Sequence, residues 1–392
     1  MSRAVPLHPL TRHDARRIWL RAQRLDTSAP FGEGAQAVAD AVAHLGYVQI
    51  DTINVIERSH HHILYTRIPN YRRADLRQAQ SADRSVFEYW THALSYVPSK
   101  DFRFFLPAMK LHKREGHVWF KSVKPEDTRK VMRLLRQGAL TIRDIDDDVL
   151  TEKVHLWSSR KPSKRALQLA FYTGAVTVSE RNGMLKTYEL TTRHFGWDRL
   201  PKAASASEET AYLLDRALRA QGIVSLDSIC HLDAPSKPLV HRLIERRVRR
   251  GELVPVALEG AGKAAHWAAP ETLQLNQNDN REGPALVHIL SPFDPLIIQR
   301  KRTHLFFDYE HRFEAYVPKE KRQFGYFALP VLVGSDIVAA LDLKTDRQNR
   351  KLLMQKWTWV GNGKAAKGEA RKALKRTIEQ ELHRFAQFQL AE

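Results

Sequence analysis

The chain has 392 residues, too many for one small core and enough for about two to four modest domains, with the 43% hydrophobic content of an ordinary folded globular protein. Lys plus Arg number 63 against 44 Asp plus Glu, and the resulting net charge of +19 points to a polyanionic partner, nucleic acid before an acidic membrane. The single cysteine, Cys230, excludes an internal disulfide and any cysteine-based zinc site, and no apolar run approaches the roughly 20 residues that span a bilayer.

Taken in chain order, Met1 to Pro6 lacks the apolar core of a signal peptide, so a cytoplasmic, nucleoid-associated protein is expected. Leu10 to Leu25 reads as a helix capped by Thr11, and Ala35 to Leu45 as a second, closed by Gly46. The run Tyr47-Val48-Gln49-Ile50-Asp51-Thr52 then alternates apolar and polar residues, the period of a strand. Side chains two apart on a strand share a face, which puts Gln49 beside Asp51. The basic stretch Arg58-Ser59-His60-His61-His62 follows directly.

Two later segments resemble each other. Arg133 to Gly138 leads into Thr141 to Ile145, and Arg216 to Gly222 into Ser225 to Ile229; each is a helix stopped by glycine before a Thr or Ser that can cap a short second helix. Each continues through a Ser-Lys start to a third helix, at Ser163 and Ser236, and then into extended stretches. The first pair of strands, Ala175 to Ser179 and Leu185 to Leu190, flanks Asn182-Gly183, a strong hairpin signal. Three helices and a hairpin make a winged-helix unit. The polar run Asn276 to Asn280 reads as a linker, and beyond it Leu286–Leu290, Phe313–Val317, Gly325–Val333, Ile337–Asp342 and Trp357–Val360 read as strands. Gly361 to Gly363 should break the sheet before a last helix, Ala365 to Phe388, with Leu374, Ile378, Leu382 and Phe385 on one stripe.

The expected fold is α+β: tandem winged-helix units in a curved array with a C-terminal β-rich domain. The expected divisions are 1–124 with the Gln49–Asp51 strand, 125–200, 201–275 and 276–392.

Gln49 and Asp51 form an amide and a carboxylate beside cations on a very basic chain, which suits holding and activating a water next to a polyanion. Two incidental polar residues on a solvent face would give the same pattern. The histidine run does not suggest a metal, because adjacent side chains diverge; Arg58, His60 or His61 would instead line the site and contact phosphate or the lesion, and a purely structural role would account for any single one of them equally well. Arg160-Lys161 with Lys164-Arg165, Arg242 with Arg246 to Arg250, and Arg300-Lys301-Arg302 are further candidate phosphate contacts. Gly260 to Lys263 lacks the spacing of a phosphate loop.

Leu45 to His62 resembles the Gln-hydrophobic-Asp signature of winged-helix DNA glycosylases that unhook interstrand crosslinks, the AlkX or YcaQ-like branch of the AlkZ superfamily. Ser291 to Leu296 followed by Arg300-Lys301-Arg302, Tyr316-Val317-Pro318 and Gly325-Tyr326 resemble its C-terminal region. The sister branch carries Gln-hydrophobic-Gln, from which Asp51 departs. The resemblance implies a monofunctional glycosylase without cofactor or metal, acting on double-stranded DNA that contains alkylated guanine or crosslinks; because repeated units in one polypeptide already give an extended face, a monomer is expected. Asp51 would activate water and stabilise the oxocarbenium, and Gln49 would orient the water. A winged-helix transcription regulator explains the charge and the repeats equally well, but gives Gln49 and Asp51 no task.

Overall fold

The computed structural model describes residues 7–115, 120–147, 150, 159–277 and 285–391. The chain forms two compact units, one of Met1–Glu33, His44–Tyr71 and Thr210–Glu392, the other of Gly34–Ala43 and Arg72–Glu209. Among the described residues no helix is long and apolar enough to cross a membrane.

In the first unit, Thr11 caps the Arg12–Ala22 helix as expected, its side chain accepting the N–H of Asp14. That helix buries Ile18, Trp19 and Leu20, with Trp19 edge-on to Phe306 at 4.9 Å. Helices Ala206–Gln221, Leu226–Ile229 and Lys237–Arg249 precede the hairpin strands Val254–Leu258 and His266–Ala268, which is the winged-helix order. Ser225 caps the short middle helix through a reciprocal pair with Ser228. The strand His8–Leu10 adds to this hairpin in parallel, so a segment from the start of the chain completes a sheet built near residue 260. Gly222 lets the two parts meet: its φ is +67, and a Cβ there would lie 2.6 Å from Ile18 Cγ2.

The C-terminal part of this unit is an antiparallel sheet of Val287–Ile289, Ala328–Val333, Asp336–Asp346 and Lys351–Trp359. The Gly368–Leu390 helix buries Ile378 and Phe385 from the expected stripe, while Leu374 and Leu382 are half-buried. Gly361 follows the last strand, but it opens a short helix, Gly361–Ala365. The expected strand at Phe313–Val317 is a loop. Its alternation fails as a strand because Glu314, the polar member, turns inward and bonds backbone across the loop, while Tyr316 turns out. Residues 278–280 of the expected linker lie outside the described residues.

The second unit contains the Arg73–Ser81 helix, a hairpin of Val86–Trp90 and Leu94–Pro98, and the helices Leu106–Glu115 and Pro125–Gln137. Thr141 caps a single 3-10 turn, Ile142–Asp144, where a short helix was expected. The Pro162–Tyr172 helix then leads into the hairpin Val176–Asn182 and Leu185–Leu190, turning at Gly183 (φ +60), with Leu140–Thr141 as its third strand. Inside this unit Glu88 is fully buried and accepts Arg181 Nη2 at 2.7 Å, with Lys186 Nζ 3.6 Å away.

Candidate active site and nucleic-acid interface

Leu45 ends its helix and Gly46 turns the chain at φ +80, as the sequence suggests. The strand that follows is only Val48–Gln49, not six residues. Val48, Gln49 and Ile50 are all buried, so no solvent face exists for the alternation to mark. Local bonds then replace a ladder: Ser59 Oγ donates to the Gln49 carbonyl at 3.0 Å, and Asp51 Oδ1 accepts the Ile53 N–H at 2.7 Å. Gln49 is 6% exposed and ends the strand; Asp51 lies just beyond it in irregular backbone. The two are therefore not placed side by side by strand periodicity, and their closeness rests on a spacing of two residues.

Asp51 is half-buried, and among the described residues it makes no ion pair. Burial raises its pKa above the ordinary carboxylate value, while the N–H groups of Ile53 and Thr52 partly offset that. The result is a carboxylate of strengthened basicity with no counter-charge of its own. The segment that carries it is clamped from the C-terminal sheet. Thr345 N–H donates to the Val55 carbonyl at 2.9 Å, and Arg347 Nη2 donates to Asn54 Oδ1 at 2.8 Å and to the Ile56 carbonyl at 2.5 Å.

The Ser59–Tyr65 helix presents the three histidines in different directions. His62 is fully buried, faces Phe385, and its Nε2–H donates to the Ile289 carbonyl at 2.7 Å; burial lowers its pKa to about 4, which keeps it neutral. His61 is half-buried, with Nδ1 2.6 Å from the Tyr71 hydroxyl. His60 is buried, its ring 4.2 Å from that of His61. Arg58 is half-buried at the helix start, and its backbone N–H donates to Glu57 Oε1 at 2.8 Å. Among the described residues no group of three or more His, Cys, Asp or Glu could hold a metal ion.

The basic clusters divide by burial. Arg300 and Lys301 are exposed at the start of the Arg300–Phe307 helix. Arg302 is not a surface cation. Its guanidinium sits 4.3 Å from the Trp19 ring and 4.4 Å from that of Phe306, Nη2 donates to the Ile223 carbonyl at 2.7 Å, and burial lowers its pKa to about 9. Along a helix, positions 300, 301 and 302 point about 100° apart, and the apolar stripe that takes Phe306 takes Arg302 four residues earlier. In the second unit, Lys164 is exposed while Arg165 is buried, Nη1 donating to Ser122 Oγ at 2.9 Å. Arg242, Arg246 and Arg249 are exposed on one face of the Lys237–Arg249 helix, and among the described residues they make no ion pair.

One buried feature of this unit had no signal in the sequence. Arg67, just past the Ser59–Tyr65 helix, forks onto Asp294, with Nη1 to Oδ2 at 2.7 Å and Nη2 to Oδ1 at 3.1 Å, both side chains 0% exposed. Arg67 also donates to the Gln23 carbonyl at 3.0 Å and to Gln23 Oε1 at 2.9 Å. Asp294 belongs to the Ser291–Leu296 motif, but nothing around Arg67 distinguishes it from the chain's other arginines.

The family model described as "DNA glycosylase AlkZ-like" matches residues 42–388, which include Gln49, Asp51 and the whole C-terminal sheet. The solved Streptomyces sahachiroi DNA glycosylase AlkZ is similar in fold, with a TM-score of 0.61 at 17% identity over 97% of each chain. The mixed α+β architecture is that of this structure. The chain belongs to the AlkZ-like DNA glycosylase family.

Proposed function

We propose that the protein is a monofunctional glycosylase that hydrolyses the N-glycosidic bond of cationic N7-alkylguanine and unhooks crosslinks of that type, as in the AlkX or YcaQ-like branch. It works as a monomer on damaged double-stranded DNA. The observation that carries this reading is Asp51: a half-buried carboxylate, raised in pKa, with no cation paired to it among the described residues. Alkylation at N7 makes the purine positive, so the lesion supplies the missing counter-charge on binding. That charge favours the ionised carboxylate at the moment it is needed. The base then leaves neutral and needs no general acid. Asp51 stabilises the electron-poor sugar and takes a proton from water, whose oxygen bonds to C1′ as the C1′–N9 electron pair departs with the purine. Gln49, almost wholly buried at the strand end, orients that water. Arg58, Lys164, Arg300 and Lys301 hold backbone phosphates.

The test is excision from an oligonucleotide that contains N7-methylguanine, with abasic sites revealed by alkali. Wild type should yield product, and its kcat/KM should fall on the acid side at a pH above the ordinary aspartate range, since kcat/KM reports the free enzyme, whose required base form has a raised pKa. Asp51→Asn should lose about 10²–10⁴-fold in rate while binding the same DNA. No product at excess wild-type enzyme would leave the DNA-binding regulator as the better reading.

A further inference from the structure

Between the Arg300–Phe307 helix and the Ala328–Val333 strand lies a loop fastened from inside. The buried carboxylate of Glu314 accepts the backbone N–H groups of Gln323 and Phe324 at 2.7 Å and of Gly325 at 3.2 Å. Asp342, on the neighbouring strand, accepts those of Tyr326 at 2.9 Å and Phe327 at 3.1 Å. Gly325 has φ +134, and a Cβ there would lie 2.2 Å from Asp342 Oδ2, so a side chain would push that carboxylate away. Val317 N–H to the Glu314 carbonyl (3.0 Å) and Arg322 Nε to the Val317 carbonyl (2.7 Å) close the tip.

On this tip Tyr316 is 77% exposed. Its ring meets Phe313, 5.9 Å away and edge-on, and Phe313 continues to Phe293 at 5.2 Å and Phe327 at 5.9 Å. An aromatic column rooted in the core thus ends in a ring held out to solvent. Rigid presentation lowers the ordering cost of binding. Lys319 and Lys321 follow it in the chain, exposed and without an ion pair among the described residues, while Arg312 is taken by Glu310 at 3.0 Å and Glu320 stands between the lysines. The position relates to the chemistry through one strand. Asp342 anchors the loop, and Thr345, three residues on and roughly 10 Å away at strand rise, holds the Val55 carbonyl of the Asp51 segment.

We propose that Tyr316 is a nucleobase-stacking residue: its ring packs on a base exposed where the duplex is opened beside the lesion, with Lys319 and Lys321 against the flanking phosphates. The proposal rests on the DNA-repair reading but concerns binding, not bond cleavage. Every base has a π face, so such stacking needs no sequence preference.

The test titrates a duplex that carries 2-aminopurine opposite an abasic analogue with wild type, Tyr316→Phe and Tyr316→Ala at fixed salt, beside an intact duplex. Wild type and the phenylalanine variant should quench 2-aminopurine and bind the opened duplex about tenfold more tightly than the alanine variant, with intact-duplex affinity within about twofold. Circular dichroism confirms folding, which an exposed side chain does not support. An alanine variant that quenches and binds like wild type overturns the proposal. Excision of N7-methylguanine by wild type is scored separately, so its absence would count against the catalytic reading alone.

Discussion

Two aspartates in the same unit have opposite surroundings. Asp294 is shut away from water and answered by a forked guanidinium, Arg67, and the Leu296 N–H at 2.9 Å. Asp51 is half-buried, takes the Ile53 N–H, and among the described residues has no cation. Burial of a carboxylate is tolerated when charge and hydrogen bonds replace water, and it raises the pKa when they do not. Asp294 is thereby committed to holding the structure. Asp51 keeps unspent electrostatic attraction, which a cationic substrate can draw on.

Stability measurements separate the two. Asp294→Ala leaves Arg67 charged and buried without its partner and should cost about 3–5 kcal/mol in denaturant unfolding, whereas the double change Arg67→Met with Asp294→Leu should recover most of it. Asp51→Asn should behave oppositely. The folded-state pKa of Asp51 is raised, so the ionised form is disfavoured by folding and costs stability above that pKa. The asparagine variant should be at least as stable as wild type near pH 7, and its advantage should vanish as pH falls through the raised pKa. If Asp51→Asn unfolds the protein as Asp294→Ala does, the contrast fails and Asp51 is structural.

Two buried histidines of the same unit sharpen the same contrast through pH. His62 and His288 are buried, each donating Nε2–H to a backbone carbonyl, and burial lowers both from about 6.5 to about 4. The unfolded chain takes up these protons first. The stability they support is full above pH 6.5 and is lost as pH falls from there toward 4. Between pH 7 and pH 5 the loss should be roughly 2 kcal/mol for each histidine, read from denaturant midpoints. A flat profile over that window would mean that these rings are not held neutral in the core.

Much of this architecture was legible. Thr11, Gly46, Ser225 and Asn182-Gly183 act locally, through caps and turns that depend on a few neighbouring residues, and the structure uses each of them as the sequence suggests. The misreadings arise where side chains bond backbone or where partners lie far off in the sequence. The Tyr47–Thr52 alternation looked like a strand, but Ser59 and Asp51 itself bond the backbone that a ladder would have used. Phe313–Val317 failed for the same reason, through Glu314. Arg67 and Arg347 act on partners 227 and 291–293 positions away, a separation no local pattern reports. For the candidate site, residue type and spacing singled out Gln49 and Asp51, while the clamp on the Asp51 segment and the buried Arg67–Asp294 pair needed the fold.

The smallest expected effect tests how burial sorts one run of cations. Arg300, Lys301 and Arg302 are consecutive, yet only the third lies over Trp19 and Phe306. A phosphate contact releases counterions, so each one lost lowers the slope of log affinity against log salt by about 0.9. Arg300→Ala with Lys301→Ala should reduce that slope and weaken binding similarly across sequences, as expected of contacts that position and do not read bases. Arg302→Met removes the same formal charge from the same turn of helix and should leave the slope unchanged, because a guanidinium in the core organises no counterions. Equal reductions from both changes would mean that Arg302 reaches the DNA after all, and that the aromatic pair around it opens when the complex forms.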